Sequence, residues 1–218
     1  MVPPDGFFAA LKEVLDEKGI LFVSDEVQTG WGRTGEHFWG YQAHSITPDL
    51  ITFAKGLGNG LAIGGVVGRA DLIDSVHANS ISTFGGNPLA SAGALANLEY
   101  LLSHDLQSNA LRTGKLIFEG LRSAAAQLPG VGDVRGKGLM IGVDVVEPST
   151  SKPDTTAANQ VVEEARVRGL LVGKGGLWGN VLRIAPPLSL SEAEAKDGTE
   201  RLVDALHAVL GARGGASL

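Results

Sequence analysis

The sequence contains no cysteine, which excludes disulfides and thiolate metal sites. It has no long basic block. Its 18 lysines and arginines stand against 24 aspartates and glutamates, for a formal charge of −6, a balance that argues against a nucleic-acid partner. No uninterrupted apolar run is long enough to span a bilayer. Met1-Val2-Pro3-Pro4-Asp5 has neither the basic start nor the apolar core of a secretion signal. The expectation is a soluble, cytoplasmic protein without a membrane partner. His37, His44, His77, His104 and His207 are scattered without ligand spacing, so no metal is expected. There are no repeats and no low-complexity tracts.

What is present suits a globular chain. Of 218 residues, 44% are hydrophobic, enough for a core, and the length allows one large domain or two small ones. Phe7, Phe8, Leu11, Val14 and Leu15 recur at helical spacing, with Asp5 to cap the start and Gly19 to close the end. Ile20-Leu21-Phe22-Val23 predicts a buried strand over 20–24, and Leu50-Ile51-Thr52-Phe53 a second over 50–54. A third apolar run over 63–68 follows a short loop and should return antiparallel. Thr29 to Gly40 is too rich in glycine for a helix and reads as a loop. Trp31 and Trp39 in it could line a substrate entrance, although loop aromatics more often pack their own loop. Gly56-x-Gly58-x-Gly60 is no dinucleotide fingerprint, because no suitably spaced helix follows.

Asn87-Pro88 predicts a helix start, a capping side chain followed by proline at the first helical position. A further helix over 106–128 is stopped by Pro129-Gly130. A boundary near residue 104 divides the chain into 1–104 and 105–218. The second part reads as a small α/β domain. Strands are expected at 131–134 and 139–146, around Gly136-Lys137-Gly138. A helix over 155–168 should end at Gly169, and strands at 170–172 and 181–184 should flank a glycine-rich hairpin. Ser191-x-x-Glu194 is a capping box. It opens a last helix with Leu202, Val203, Leu206, Val209 and Leu210 inward. The tail from Gly211 is expected to fray.

Two of these runs end in a chargeable residue followed by a glycine-containing loop: Asp25 after 20–24 and Lys55 after 50–54. Ligands of open α/β sheets bind at strand ends. A lysine amine forms Schiff bases with aldehydes once it is desolvated or already committed as an imine. Pyridoxal phosphate (PLP) uses such a lysine, and needs a carboxylate to keep its ring nitrogen protonated. On spacing alone the plainer reading is the stronger one: Asp25 caps a loop and Lys55 is a solvated residue after a strand.

Leu21-Phe22-Val23-Ser24-Asp25-Glu26-Val27-Gln28-Thr29-Gly30-Trp31-Gly32-Arg33-Thr34-Gly35 and Phe53-Ala54-Lys55-Gly56-Leu57-Gly58-Asn59-Gly60 are followed in order by two more motifs. These are Ser82-Thr83-Phe84-Gly85-Gly86-Asn87-Pro88 and Arg183-Ile184-Ala185-Pro186-Pro187-Leu188. Together they resemble the class III PLP-dependent aminotransferases, over almost the whole chain. The stretch from Val23 to Arg33 and His37-Phe38-Trp39-Gly40-Tyr41 look most like the alanine–glyoxylate type 2 and ω-amino-acid branch, with the 4-aminobutyrate branch close. The resemblance implies the PLP-dependent transferase fold type I, here as part of the large-domain sheet plus the C-terminal small domain.

It also implies transfer of an amino group from an amino acid to a 2-oxo acid. Lys55 would hold PLP as a Schiff base and shuttle the substrate proton. Asp25 would pair with the ring nitrogen, Val27 pack on a ring face, and Gln28 bond the ring hydroxyl oxygen. Thr83 would reach the phosphate of a partner's cofactor across a homodimer interface, and Arg183 would clamp a substrate carboxylate. Glu26 is read as structural. Family chains are longer, and the loop that cradles the phosphate lies in an N-terminal half that these residues do not match. The alternatives are therefore a truncated, non-catalytic fragment that needs an N-terminal partner, or a PLP aminomutase on the same scaffold.

Overall fold

Local hydrogen bonding decides where each element of the chain begins. The computed structural model describes residues 2–79, 81–148 and 150–211, so the predicted frayed tail lies, from residue 212 on, outside the described residues. Helix α1 (Phe7–Glu17) is capped by Gly6, in the left-handed region at φ 82°, with no side-chain cap bond. Asp5, the expected cap, lies one residue too early. The apolar stripe of α1 is not covered either, since none of its residues is buried. Phe8 alone makes edge contacts with both Phe22 and His44.

Strand β1 (Val23–Asp25) starts later than predicted. The Ile20 N–H turns back to Leu15 O, and the Phe22 N–H donates to Asp49 Oδ2 at 2.8 Å. The first part of the apolar run thus closes a helix and binds a side chain before any ladder begins. Strands β2 (Leu50–Phe53) and β3 (Gly65–Gly68) complete a sheet ordered β1-β2-β3. β1 and β2 are parallel, with Asp25 opposite Thr52. β3 returns antiparallel, with Phe53 opposite Gly65, as the short connecting loop predicts. Helix α2 (Ala70–Ile73) is brief. Helix α3 (Pro88–Ser103) begins as expected, with the Asn87 side chain accepting from the Ala90 N–H at 3.0 Å.

Helix α4 (Leu106–Ala125) follows, then β4 (Val131–Lys137) and β5 (Met140–Val145). Helix α5 (Thr155–Val167), β6 (Gly173–Gly175), β7 (Val181–Ile184) and α6 (Glu192–Leu210) complete the described chain. The chain divides between Ser108 and Asn109 into two compact units. In the second unit the strands form an antiparallel sheet ordered β4-β5-β7-β6. The predicted strand over 170–172 is not there. The Leu170 N–H bonds back to Ala165 O at 2.9 Å and Gly169 has φ 76°, a left-handed helix ending. Leu170 finishes α5, and pairing starts at Gly173, opposite Arg183.

The core of this unit is aliphatic. Leu121, Val143, Val161, Leu182 and Leu206 are buried together, each worth about 1.5–3 kcal/mol of apolar burial. The α6 capping box is present in both directions. Leu202, Leu206 and Leu210 are buried, with Val203 and Val209 partly so. At the tip of the β4–β5 hairpin the backbone of α4 comes very close, and a Cβ on Gly114 would lie 2.4 Å from Gly138 O. Among the described residues, no helix is long and apolar enough to cross a membrane.

Candidate active site

The two parallel strands of the first unit put an acid and an amine at neighbouring strand ends. Asp25 closes β1, is exposed, and lies opposite Thr52. Lys55 stands two residues beyond Phe53, the last residue of β2, where the chain turns out of the strand. Asp25 Oδ1 accepts from the Val27 N–H and from Thr52 Oγ1, each at 3.2 Å. Val27 is half-buried and Gln28 exposed, in the turn that leaves the strand. Asp25, Val27 and Thr52 are thus joined directly at the end of the sheet.

The Lys55 segment is held by groups distant in sequence. Lys55 opens a 3-10 turn over Lys55–Leu57 and takes a left-handed φ of 41°, a conformation that costs a non-glycine residue about 1–3 kcal/mol. From α3, Asn97 Nδ2 donates to Gly56 O at 2.8 Å and to Leu57 O at 3.1 Å. Gly56 lies against Trp31, whose Cδ1 would be 3.2 Å from an added Cβ. Trp31 is itself in the left-handed region at φ 62°. Its ring packs against Trp39 at 4.7 Å and edge-on to Phe53 at 5.5 Å. Its buried Nε1 has no hydrogen-bond partner.

The start of the sheet is braced by an ion pair. Arg69 Nη1 donates to Asp49 Oδ1 at 3.0 Å. The Phe22 N–H, and then Arg69, hold the Asp49 carboxyl below its ordinary range against the opposing effect of burial. On the other face from Asp25, the Glu26 side chain is buried and ties Ser24 to the loop that follows.

The remaining predicted residues lie elsewhere. Thr83 is exposed in the turn that leads into α3, between Ile81 and Phe84, which are 95% and 80% exposed. Arg183 is exposed on β7 in the second unit, paired across the sheet with Gly142 and Gly173. It lines a cleft of about 480 Å³ together with Leu170, Ile184, Pro186 and Leu202. Asn97 escapes sequence reasoning because its contacts join distant segments, while Trp31 packs on Trp39 of its own loop and also reaches Phe53. Glu26 left one readable signal: strand alternation places it on the face opposite Asp25.

The family model for aminotransferase class-III matches residues 1–206. Over 200 residues the chain is 41% identical to an alanine/serine racemase of Pyrococcus horikoshii, covering 92% of this chain and 42% of that protein. It is 39% identical to a mitochondrial alanine–glyoxylate aminotransferase 2 homologue of Arabidopsis thaliana, again over 92% of this chain and 42% of the relative. A phospholyase from Arthrobacter, solved in complex with phosphoethanolamine, superposes with a TM-score of 0.90 at 37% identity, covering 94% of this chain and 50% of that one. The chain thus spans less than half the length of these two relatives. Its fold is type I of the PLP-dependent transferases.

Proposed function

Because the chain belongs to the class III aminotransferases, we propose that it works in a PLP-dependent transamination, moving an amino group from an amino acid to a 2-oxo acid. Alanine and ω-amino acids are the donors to try first. The observation that carries this reading is the placement of Asp25 and Lys55 at the ends of adjacent parallel strands. The residues present fit the cofactor. An exposed carboxylate anchored through one oxygen and an amine just past the end of the next strand match the needs of the two ends of a pyridine ring. When bound, PLP supplies an electron sink for the bonds of the substrate α-carbon.

The chain's own residues do the rest. Lys55 Nζ would hold the cofactor covalently and would carry a proton to and from the substrate α-carbon. The Asp25 carboxylate keeps a proton on the ring nitrogen, since an adjacent negative charge favours the cationic form. Val27 would pack on a ring face and the Gln28 amide would donate to the ring hydroxyl oxygen. Arg183 holds a substrate carboxylate with its two-pronged donor set. Thr83 serves the phosphate bound by a second copy of the chain in a homodimer. The almost fully exposed Ile81 and Phe84 beside it support an interface there. A partner supplying the rest of the relatives' length is part of the same proposal, supported by the 42% span of those relatives.

Borohydride reduction of the PLP-loaded protein followed by peptide mapping tests the assignment. The expected label is on Lys55, and a label on any other lysine overturns it. A second reading, racemisation, is favoured by the named relative that is a racemase. Loss of optical activity from one enantiomer of alanine, with no 2-oxo acid added, would select it over transamination.

A further inference from the structure

Glu26 follows Asp25 but faces the other way, and is only 1% exposed. Its carboxylate accepts four hydrogen bonds. Ser24 Oγ at 3.0 Å and the Tyr41 N–H at 2.8 Å meet Oε1. Thr29 Oγ1 at 2.6 Å and the Gly40 N–H at 2.7 Å meet Oε2. Among the described residues it has no cationic partner, so these donors alone compensate its burial. Its backbone is held as well: its N–H donates to Thr52 O at 2.9 Å, and its carbonyl accepts from the Gly30 N–H at 3.0 Å. Gly40 makes the approach feasible, because a Cβ there would lie 2.6 Å from Thr29 Cβ and 3.1 Å from Oε2.

The bonded groups lie on both sides of Asp25. Ser24 precedes it, and Thr29, Gly40 and Tyr41 belong to the loop that follows. The Asp25 carboxylate is itself oriented by the Val27 N–H and Thr52 Oγ1. The first of these belongs to the peptide joining Glu26 to Val27. Whatever fixes Glu26 fixes the direction of that N–H.

We propose that Glu26 is the positioning residue for Asp25. Its buried carboxylate clamps the end of β1 to the loop, so that the Val27 N–H holds the Asp25 carboxylate in one orientation. The consequence for cofactor binding rests on the assignment of Asp25 to the ring nitrogen.

Glu26→Gln keeps the shape of the side chain and removes one acceptor. The Gly40 and Tyr41 N–H groups can only donate, and they meet different oxygens. Whichever way the amide turns, one of them faces an NH₂ group. Amide hydrogen exchange, read by NMR on the whole 218-residue chain, is expected to speed up about tenfold at Gly40 or Tyr41 and by a similar factor at Val27. Apparent PLP affinity is expected to fall about tenfold, with Lys55 still the residue fixed by borohydride. Thr29→Val removes one donor and leaves the carboxylate intact. Should Glu26→Gln fail to fold, this variant carries the test, with a smaller rise at the same three amides. Unchanged exchange at Val27, with Gly40 and Tyr41 loosened or not, overturns the proposal. A wild-type chain that fixes PLP on another lysine would instead refute the role of Asp25 and Lys55, and exchange at Val27 would still decide that of Glu26.

Discussion

Removing the Asn97 side chain should loosen the segment that carries Lys55. Its amide makes two bonds to that segment, at 2.8 Å and 3.1 Å, and no side chain of the turn itself replaces them. The turn retains only the Leu57 N–H to Ala54 O and Gly58 N–H to Lys55 O bonds, both at 3.1 Å. A neutral hydrogen bond contributes about 0.5–1.5 kcal/mol net. One of the two here is solvent-exposed, so Asn97→Ala should cost about 1–2 kcal/mol of local stability, a factor of about 5–30 in the open population. The left-handed Lys55 adds a tendency to relax once released. The open state is read by amide exchange at Gly58 and by the rate of tryptic cleavage after Lys55. Both should rise by that factor while the global unfolding midpoint moves little. Asn97→Asp sets acceptors against two carbonyl oxygens, so its effect should exceed that of alanine. An aspartate no worse than alanine, or an alanine variant that cleaves like wild type, would refute the reasoning.

Three further outcomes follow from the packing and the charges. The Asp49 carboxyl is held below its ordinary range, chiefly by the Phe22 N–H, so the folded chain binds that proton less readily than the unfolded one. The stability it adds is complete above the ordinary carboxyl pKa of about 3.9 and is lost as pH falls through the lowered folded value. The difference in denaturant midpoint between wild type and Asp49→Asn should thus hold steady from neutrality to about pH 4 and shrink below it. Leu206→Ala, at a site 1% exposed, should cost about 2–5 kcal/mol in urea unfolding. Ser191→Ala removes the hydroxyl that accepts from the Glu194 N–H at 3.2 Å, and should cost about 1 kcal/mol in the same assay.

Elements set by local chemistry were legible in the sequence. The Asn87-Pro88 start of α3, the Ser191–Glu194 box of α6 and the antiparallel return of β3 each depend on a few neighbouring residues. The errors arose where a local pattern had two uses. Leu170-Leu171-Val172 has the composition of a strand, but the Leu170 N–H closes α5 instead. Ile20 to Phe22 likewise closes α1 and binds Asp49 before β1 can pair. In the candidate site, the Asp25–Lys55 pair follows from strand ends. The supports of that pair do not, because Asn97 is 41 residues from Gly56, and no periodicity links them. The apolar stripe of α1 was readable, yet nothing among the described residues buries it.

The close approach of Gly114 to Gly138 limits what mutation can do along α4. In most helix interiors alanine is the better residue by about 0.5–1 kcal/mol, and a designer seeking a more heat-resistant variant would replace the glycine first. Here the added methyl would run into a carbonyl oxygen 2.4 Å away. Position 114 is thus a fixed point, where the usual stabilising change becomes a damaging one.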